Sequence, residues 1–284
     1  MQIKNYQTKQ NCNHPDVCEL KFHGDYAKKR RSKMGEKLRM AVLIVFFMSL
    51  PLILEAKVKV AIDTDISAAS KYIWRGMDIN NEFVLQPSFT AAVASFSFNV
   101  WGNMDTTNYG KKAGYGDQAG EFTEIDLTVN YNYSYNIVNL DGGIINYTFP
   151  DNVGESTYEL YISTSLDTIF SPTVAVYYDF DEINGFYCNI GASHSFKILP
   201  EQQIDVVASI GYGSSNFNKG YFKEDSSGFV DFNIGASISY SINKHVTLKP
   251  FVTYSSIVDK DLRKTKTYKH NDNFYGGLSI SASF

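Results

Sequence analysis

Val230-Asp-Phe-Asn-Ile-Gly-Ala-Ser-Ile-Ser-Tyr-Ser-Ile242 sorts its residues by odd and even number. Val230, Phe232, Ile234, Ala236, Ile238, Tyr240 and Ile242 fall on one face. Asp231, Asn233, Gly235, Ser237, Ser239 and Ser241 fall on the other. A helix turns once in about 3.6 residues and cannot separate the two sets, whereas a strand repeats every second residue and does. The stretch reads as a strand with one apolar face and one face of small polar residues.

The same split recurs on both sides of it. Val58, Val60, Ile62 and Ile66 oppose Lys59, Asp63, Asp65 and Ser67. Ile125, Leu127, Val129, Tyr131 and Tyr133 oppose Glu124, Asp126, Thr128, Asn130 and Asn132. Twelve such segments are expected, at about 57–70, 83–93, 95–104, 121–133, 137–149, 156–166, 172–180, 185–198, 202–213, 227–242, 245–258 and 273–284. Gly142-Gly143 and the pair Ile144-Ile145 predict a bulge or phase slip within 137–149. Most connections alternate between a long one and a short turn, with two consecutive short ones after 166 and 180. Long and short on opposite ends is the habit of a transmembrane barrel, and an even strand count puts both termini at the short-turn, periplasmic end.

Composition agrees. Tyr and Phe number 20 each among 284 residues and Pro only 7, a mix that favours strands. The mean hydropathy of −0.22 excludes a bundle of transmembrane helices but not a barrel, whose apolar residues occupy every second position. A soluble sandwich also alternates. Against it stand segments longer than the usual five or so residues of soluble strands and a polar face of Ser, Thr, Asn, Gly and Asp with few Lys or Glu. Aromatic residues gather at strand ends (Tyr72, Trp74, Phe83, Trp101, Tyr147, Phe149, Tyr178, Phe180), which predicts an interfacial girdle. The fold expected is all-β: a transmembrane antiparallel barrel of about twelve strands.

The front of the chain has a different character. Residues 40–54 form a 15-residue apolar run, preceded by Lys28, Lys29, Arg30, Arg31, Lys33, Lys37 and Arg39 and followed by Glu55-Ala56. Basic segment, short apolar core and small residue together predict a signal peptide over 34–56, cleaved near Ala56. Residues 1–33 are then an unstructured or non-native extension, and 57–284 the barrel. Cys12, His14, Cys18 and His23 match no common zinc spacing. The whole chain carries a net charge of −4, and losing the basic leader makes the exported part more acidic. Nucleic acid is not an expected partner.

Ser70-Lys-Tyr-Ile-Trp-Arg-Gly76, then Gln86-Pro87-Ser88-Phe89, then Phe98-Asn-Val-Trp-Gly102 resemble the TorF-like porin family of Gram-negative bacteria. Gly142-Gly143-Ile144, Tyr147-Thr-Phe-Pro150 and Glu159-Leu-Tyr161 fit as well. The resemblance implies an outer-membrane barrel with porin activity, and brings neither a known substrate nor a catalytic residue. The end of the chain, Phe274-Tyr-Gly-Gly-Leu278-Ser-Ile280-Ser-Ala-Ser-Phe284, looks like the signal by which outer-membrane proteins engage the barrel-assembly machinery, with Leu278, Ile280 and Phe284 as its apolar positions. Outer-membrane lipid and lipopolysaccharide are the other expected partners. Lys260, Arg263, Lys264, Lys266, Lys269 and His270 in the last long connection either meet lipopolysaccharide phosphates or form a solvated loop.

Candidate function lies on the polar faces. The expected lining comprises Asp63, Asp65, Glu124, Asp126, Glu159, Asp179, Asp205 and Asp231, with Lys249 and, where the first strand meets the first long gap, Arg75. Asp141 joins the acids; Lys59, Lys71 and Lys197 join the bases. The acid excess predicts passage of small hydrophilic solutes or ions with mild cation preference. The alternative is a barrel plugged by acid–base pairs across the lumen, serving structure or adhesion. Arg75 itself either narrows the mouth or pairs with Asp78, Glu82 or a lumen acid and pins the loop. Catalysis is not expected. His194 is read as lipid-facing beside Phe196, His245 opens a strand, and His270 lies in the basic loop. Gly211-Tyr-Gly213-Ser-Ser is read as a strand end with no following helix, hence no phosphate loop. No cofactor or metal is expected.

Overall fold

The computed structural model describes residues 59–112, 118–150, 154–200 and 202–284. The expected extension, signal peptide and cleavage site, and the Cys12–His23 segment, lie outside the described residues.

Twelve strands close into one barrel. In chain order they are β1 (Val60–Ala69), β4 (Val84–Val93), β5 (Phe96–Asp105), β6 (Phe122–Tyr135), β7 (Val138–Thr148), β8 (Thr157–Leu166), β9 (Thr173–Asp179), β10 (Gly185–Leu199), β11 (Gln202–Gly213), β12 (Gly228–Ser241), β13 (Val246–Ile257) and β14 (Asp272–Ser283). Between β1 and β4 a two-stranded unit intervenes, β2 (Tyr72–Trp74) with β3 (Met77–Asn80), which is a separate sheet. Three short helices complete the described elements: α1 (Tyr109–Lys112), α2 (Ser215–Phe222) and α3 (Lys260–Lys264).

Every neighbouring barrel pair is antiparallel, and β1 closes the ring. It pairs with β4 from Val60↔Val93 to Ala69↔Val84 and with β14 from Asp63↔Ser283 to Ala69↔Gly277. Phe284 extends the seam, its N–H donating to the Ile62 carbonyl at 2.8 Å and its carbonyl accepting from Ile62 at 3.1 Å. Closure leaves no unpaired edge, the condition for placing a sheet in hydrocarbon.

The outer wall is apolar. Ile66, Phe89, Leu127, Leu160, Ile162, Ile190, Ile234, Ile238, Val252, Leu278 and Ile280 all lie at least 40 % exposed, as expected of side chains that face lipid. Exposed aromatics crowd both rims: Phe96, Tyr131, Tyr133, Tyr135, Phe170, Phe196 and Phe284 at the terminus end, and Phe83, Tyr178, Phe186, Phe229 and Phe274 at the other. These are the girdles. Tyr72, Trp74, Trp101 and Tyr147 do not belong to them, contrary to expectation. They sit on the inward phase or on the hairpin, with Tyr72 against Trp101 at 5.6 Å and Trp74 against Tyr147 at 5.9 Å between centroids.

Two further expectations change. β7 pairs continuously with β6 and β8, without a bulge. Gly143 lies inside, where a Cβ would run into the Val129 carbonyl, Asn130 Cβ at 2.8 Å and the Tyr161 ring at 2.9 Å, so the glycine fits a crowded inner face and leaves the phase intact. Ile145 keeps that inward phase. The register does shift on β12, between the pairs Ile210↔Phe232 and Tyr212↔Phe229. This turns Val230 inward, fully buried, although period two alone places it on the lipid face.

Candidate functional site

The hairpin β2–β3 decides what the lumen looks like. Trp74-Arg75-Gly76-Met77 is a two-residue turn with φ of 48° at Arg75 and 81° at Gly76, the pair of positive angles that a tight hairpin requires. The hairpin does not join the wall. It folds inward at the long-loop end and reaches from β1 to β8, on the opposite side of the ring. Gly76 is obligatory there, because a Cβ would lie 2.6 Å from both Asp231 Cβ and Ile257 Cδ1.

At the tip, the Arg75 guanidinium donates to both Glu159 oxygens, at 2.8 and 2.7 Å. Its carbon lies over the rings of Trp74, Tyr177 and Tyr187 at 4.3, 4.7 and 4.5 Å. Tyr147 donates its hydroxyl to the same Glu159 at 2.8 Å. A planar, forked cation with two carboxylate oxygens and aromatic faces is the geometry for which arginine is suited. Neither partner reaches solvent appreciably, with side chains 7 % and 2 % exposed.

Around the tip lies the principal described core: Met77, Tyr187, Phe217, Phe222, Val230, Ile257 and Leu262. Helices α2 and α3 supply three of these. Ser214 caps α2 by accepting from Phe217 N–H at 3.3 Å, and Asp259 caps α3 by accepting from Asp261 and Leu262 N–H at 2.7 and 3.1 Å; side-chain acceptors at N-caps are what let such short helices form. A helix therefore does follow Gly211-Tyr-Gly213, against expectation. It makes no phosphate loop, because Asn218 Oδ1 and Phe217 occupy the space beside Gly213.

The lumen grades from sealed to open. At the long-loop end the inward residues Ala69, Val84, Asp105, Glu124, Thr157, Glu159, Asp179, Val230 and Asn273 are all buried. Toward the termini Asp63, Lys197 and Lys249 are exposed, and Val207, although inward in phase, is 50 % exposed. Just inside the hairpin is a cavity of about 410 Å³, bordered by Arg75, Ile145, Tyr177, Asn189, Asp231 and Asn233.

The candidate residues separate into groups. Glu159 and Arg75 form the buried pair at the hairpin tip. Asp231 accepts from the Tyr187 hydroxyl at 2.9 Å and from Asn233 at 2.6 Å. Asp179 accepts from Thr157 at 2.8 Å and from the N–H groups of Asp181 and Ile183, so it organises the β9–β10 connection. Glu124 is buried, and Asp126 follows it on the same face of β6 with Oδ1 buried and without a hydrogen-bond partner. Asp65 accepts from Ser67 at 3.0 Å. Asp205 accepts from Ser195, Gln203 and Ser239 in the open half, near Lys249. Asp63 stands exposed there too. The acids are thus distributed between a sealed outer half and an open inner half. Leu278, Ile280 and Phe284 point outward.

Of the histidines, His194 packs edge-on against Phe196 at the outer wall and His245 stacks on Phe284. His270 joins Asp78 at 2.6 Å, tying the last long loop to β3. No cluster of three metal-ligating side chains occurs among the described residues.

Sequence reasoning did not bring Tyr147, Tyr177 and Tyr187 together as an aromatic box, nor place Phe217 behind it. Trp74-Arg75-Gly76 carried a hairpin signal in its glycine, but nothing local shows where a hairpin docks.

With this geometry in hand, the family follows. The model of Gcw_chp, described as a bacterial protein of unknown function, matches residues 54–275. The chain belongs to the Gcw_chp family. The TorF resemblance therefore holds only as a likeness to porin-like barrels. No curated protein matches. Among solved structures, the chain is similar to the KdgM porin in complex with disordered oligogalacturonate (13 % identity, TM-score 0.47, 79 % of this chain and 99 % of that one). It is similar to the COG4313 outer membrane channel from Pseudomonas putida F1 (10 %, 0.45, 80 % and 95 %) and to LpxR from Salmonella typhimurium (11 %, 0.47, 78 % and 99 %).

Proposed function

We propose that this Gcw_chp protein is an outer-membrane channel for small hydrophilic solutes and ions, favouring cations, with the hairpin across its outer mouth. The supporting observation is the lumen itself: polar and acid-bearing, with exposed inward side chains toward the termini and a cavity beside Arg75. In a low-dielectric wall, the exposed Asp63 and the other acids of the open half raise the local cation concentration. On this reading the apolar band and both girdles sit in the bilayer with the termini periplasmic. The C-terminal strand engages the assembly machinery, the outer rim meets lipopolysaccharide, and no covalent step or cofactor takes part. The sealed outer half favours a second reading, a non-conducting structural or adhesive barrel.

The test is current. Protein extracted from the outer membrane of an expressing Gram-negative cell is inserted into a planar bilayer across a potassium chloride gradient. Stepwise currents with a cation-leaning reversal potential are expected. A folded barrel that stays silent even when the hairpin has been removed refutes the channel.

A further inference from the structure

We infer that the β2–β3 hairpin is a gate, held shut by the Arg75–Glu159 pair, which swings out of the lumen as one body to open the channel. The inference rests on the channel reading above and assigns it a regulation. Three observations carry it.

First, the backbone ladder of the hairpin runs only within it, through Tyr72↔Asn80, Ile73↔Asp78 and Trp74↔Met77. The wall behind it is complete without it, since β1 pairs with β4 over its whole length. Moving the hairpin breaks no wall ladder, so the barrel need not deform. Second, the tip is held by side chains. The charge pair at the tip spans hairpin and opposite wall, with Arg75 from the turn and Glu159 from β8. Third, that pair is buried, and a buried pair is a switch with uneven cost: intact it is neutral to its surroundings, whereas removing one partner strands the other charge in a low-dielectric site. The root of the hairpin is tied to the rim by Ser70 to Gly276, Lys71 to Asn273, Tyr72 to Glu124, Asn80 to Asp105 and Asp78 to His270, and these ties place the pivot there.

The two tryptophans of the chain both report on this movement. Trp74 is on the hairpin, and Trp101 lies against Tyr72 at 5.6 Å. In a Trp101→Phe background, Trp74 alone emits. Glu159→Gln and, in parallel, Arg75→Gln are introduced into it. A third protein has residues 72–80 replaced by a Gly-Ser linker. Folding is checked for each by heat-modifiable gel mobility, quenching of Trp74 by acrylamide is read in the proteins that retain it, and all are recorded in planar bilayers.

Expected are long closed periods and weak quenching in the background protein. Either latch variant raises quenching and raises open probability by about a hundredfold or more, with unit conductance unchanged; the linker protein stays open. If the folded latch variants leave quenching and open probability unchanged while the linker protein conducts, the hairpin is a fixed constriction and the gate is refuted, the channel standing. If the latch variants raise unit conductance instead of open probability, the gate is likewise refuted. If Trp74 becomes accessible yet the linker protein passes no current, the channel reading falls and the gate with it.

Discussion

Gly76→Ala isolates how tightly the hairpin tip is packed. The residue sits at φ 81°, where an alanine costs about 1–2 kcal/mol because its Cβ crowds the following carbonyl. The new Cβ also lies 2.6 Å from Asp231 Cβ and from Ile257 Cδ1. The isoleucine terminus can rotate away; Asp231 Cβ is fixed to β12 and cannot. Overpacking of this kind costs about 1–3 kcal/mol. The turn keeps its φ whether the hairpin is docked or swung out as one body, so only the overpacking counts against docking: about 1–3 kcal/mol, a shift of roughly 5- to 150-fold in the docked population. Gly120→Ala is the matched control, since Gly120 has φ 87° but nothing within 4 Å of its added Cβ. The assay is tryptophan emission and acrylamide quenching, with far-UV circular dichroism to follow the barrel. Gly76→Ala is expected to red-shift the emission and increase quenching, with the strand signal intact, while Gly120→Ala does neither. If the two variants give the same emission, the packing argument for the tip is wrong.

Phe217→Ala removes a 1 % exposed ring from the core behind the latch and is expected to cost about 3–5 kcal/mol, read as a lower urea midpoint of the tryptophan transition. Ile234→Arg on the outer wall is expected to cost about 2–4 kcal/mol at mid-membrane depth, measured by denaturant titration in liposomes; a cost near zero would put that face out of lipid. Replacing Asp63, Asp65, Asp141 and Asp205 together by Asn is expected to move the reversal potential toward zero in a salt gradient without changing heat-modifiable mobility. Phe284→Ala loses the aromatic that stacks on His245 at the barrel seam, and is expected to lower the amount of folded protein in the outer membrane, checked by immunoblot of membrane fractions.

The barrel was legible because its determinants are local. Alternation at 230–242 or 122–133 reports which side of a wall each residue faces, and the expected segments fall within a few residues of the twelve barrel strands. The departures are local as well. Val230 left its face because one extra residue on β12 is absorbed by the register shift opposite Gly211, and period-two counting has no means of detecting an insertion. Gly142-Gly143 suggested a slip because a glycine pair looks the same whether it marks a bulge or a crowded inner face. Trp74, Trp101, Tyr72 and Tyr147 were read as girdle residues because an aromatic at a strand end suits an interface and an interior cluster equally well.

Sequence alone determined the closed sheet, its apolar outside and its polar inside, because each strand buries or exposes residues by a rule that reads along the chain. It also placed an arginine at the mouth and offered a lumen acid as one of its partners. Only the tertiary structure decided that the partner is Glu159, separated by 84 positions, that three tyrosines and a phenylalanine from separate elements surround the pair, and that the first long connection folds across the outer end of the lumen. The physical reason is that hydrogen-bonding and hydrophobic periodicity act between neighbours, whereas a residue pair across a barrel meets only after the ring has closed and fixed which strands stand opposite.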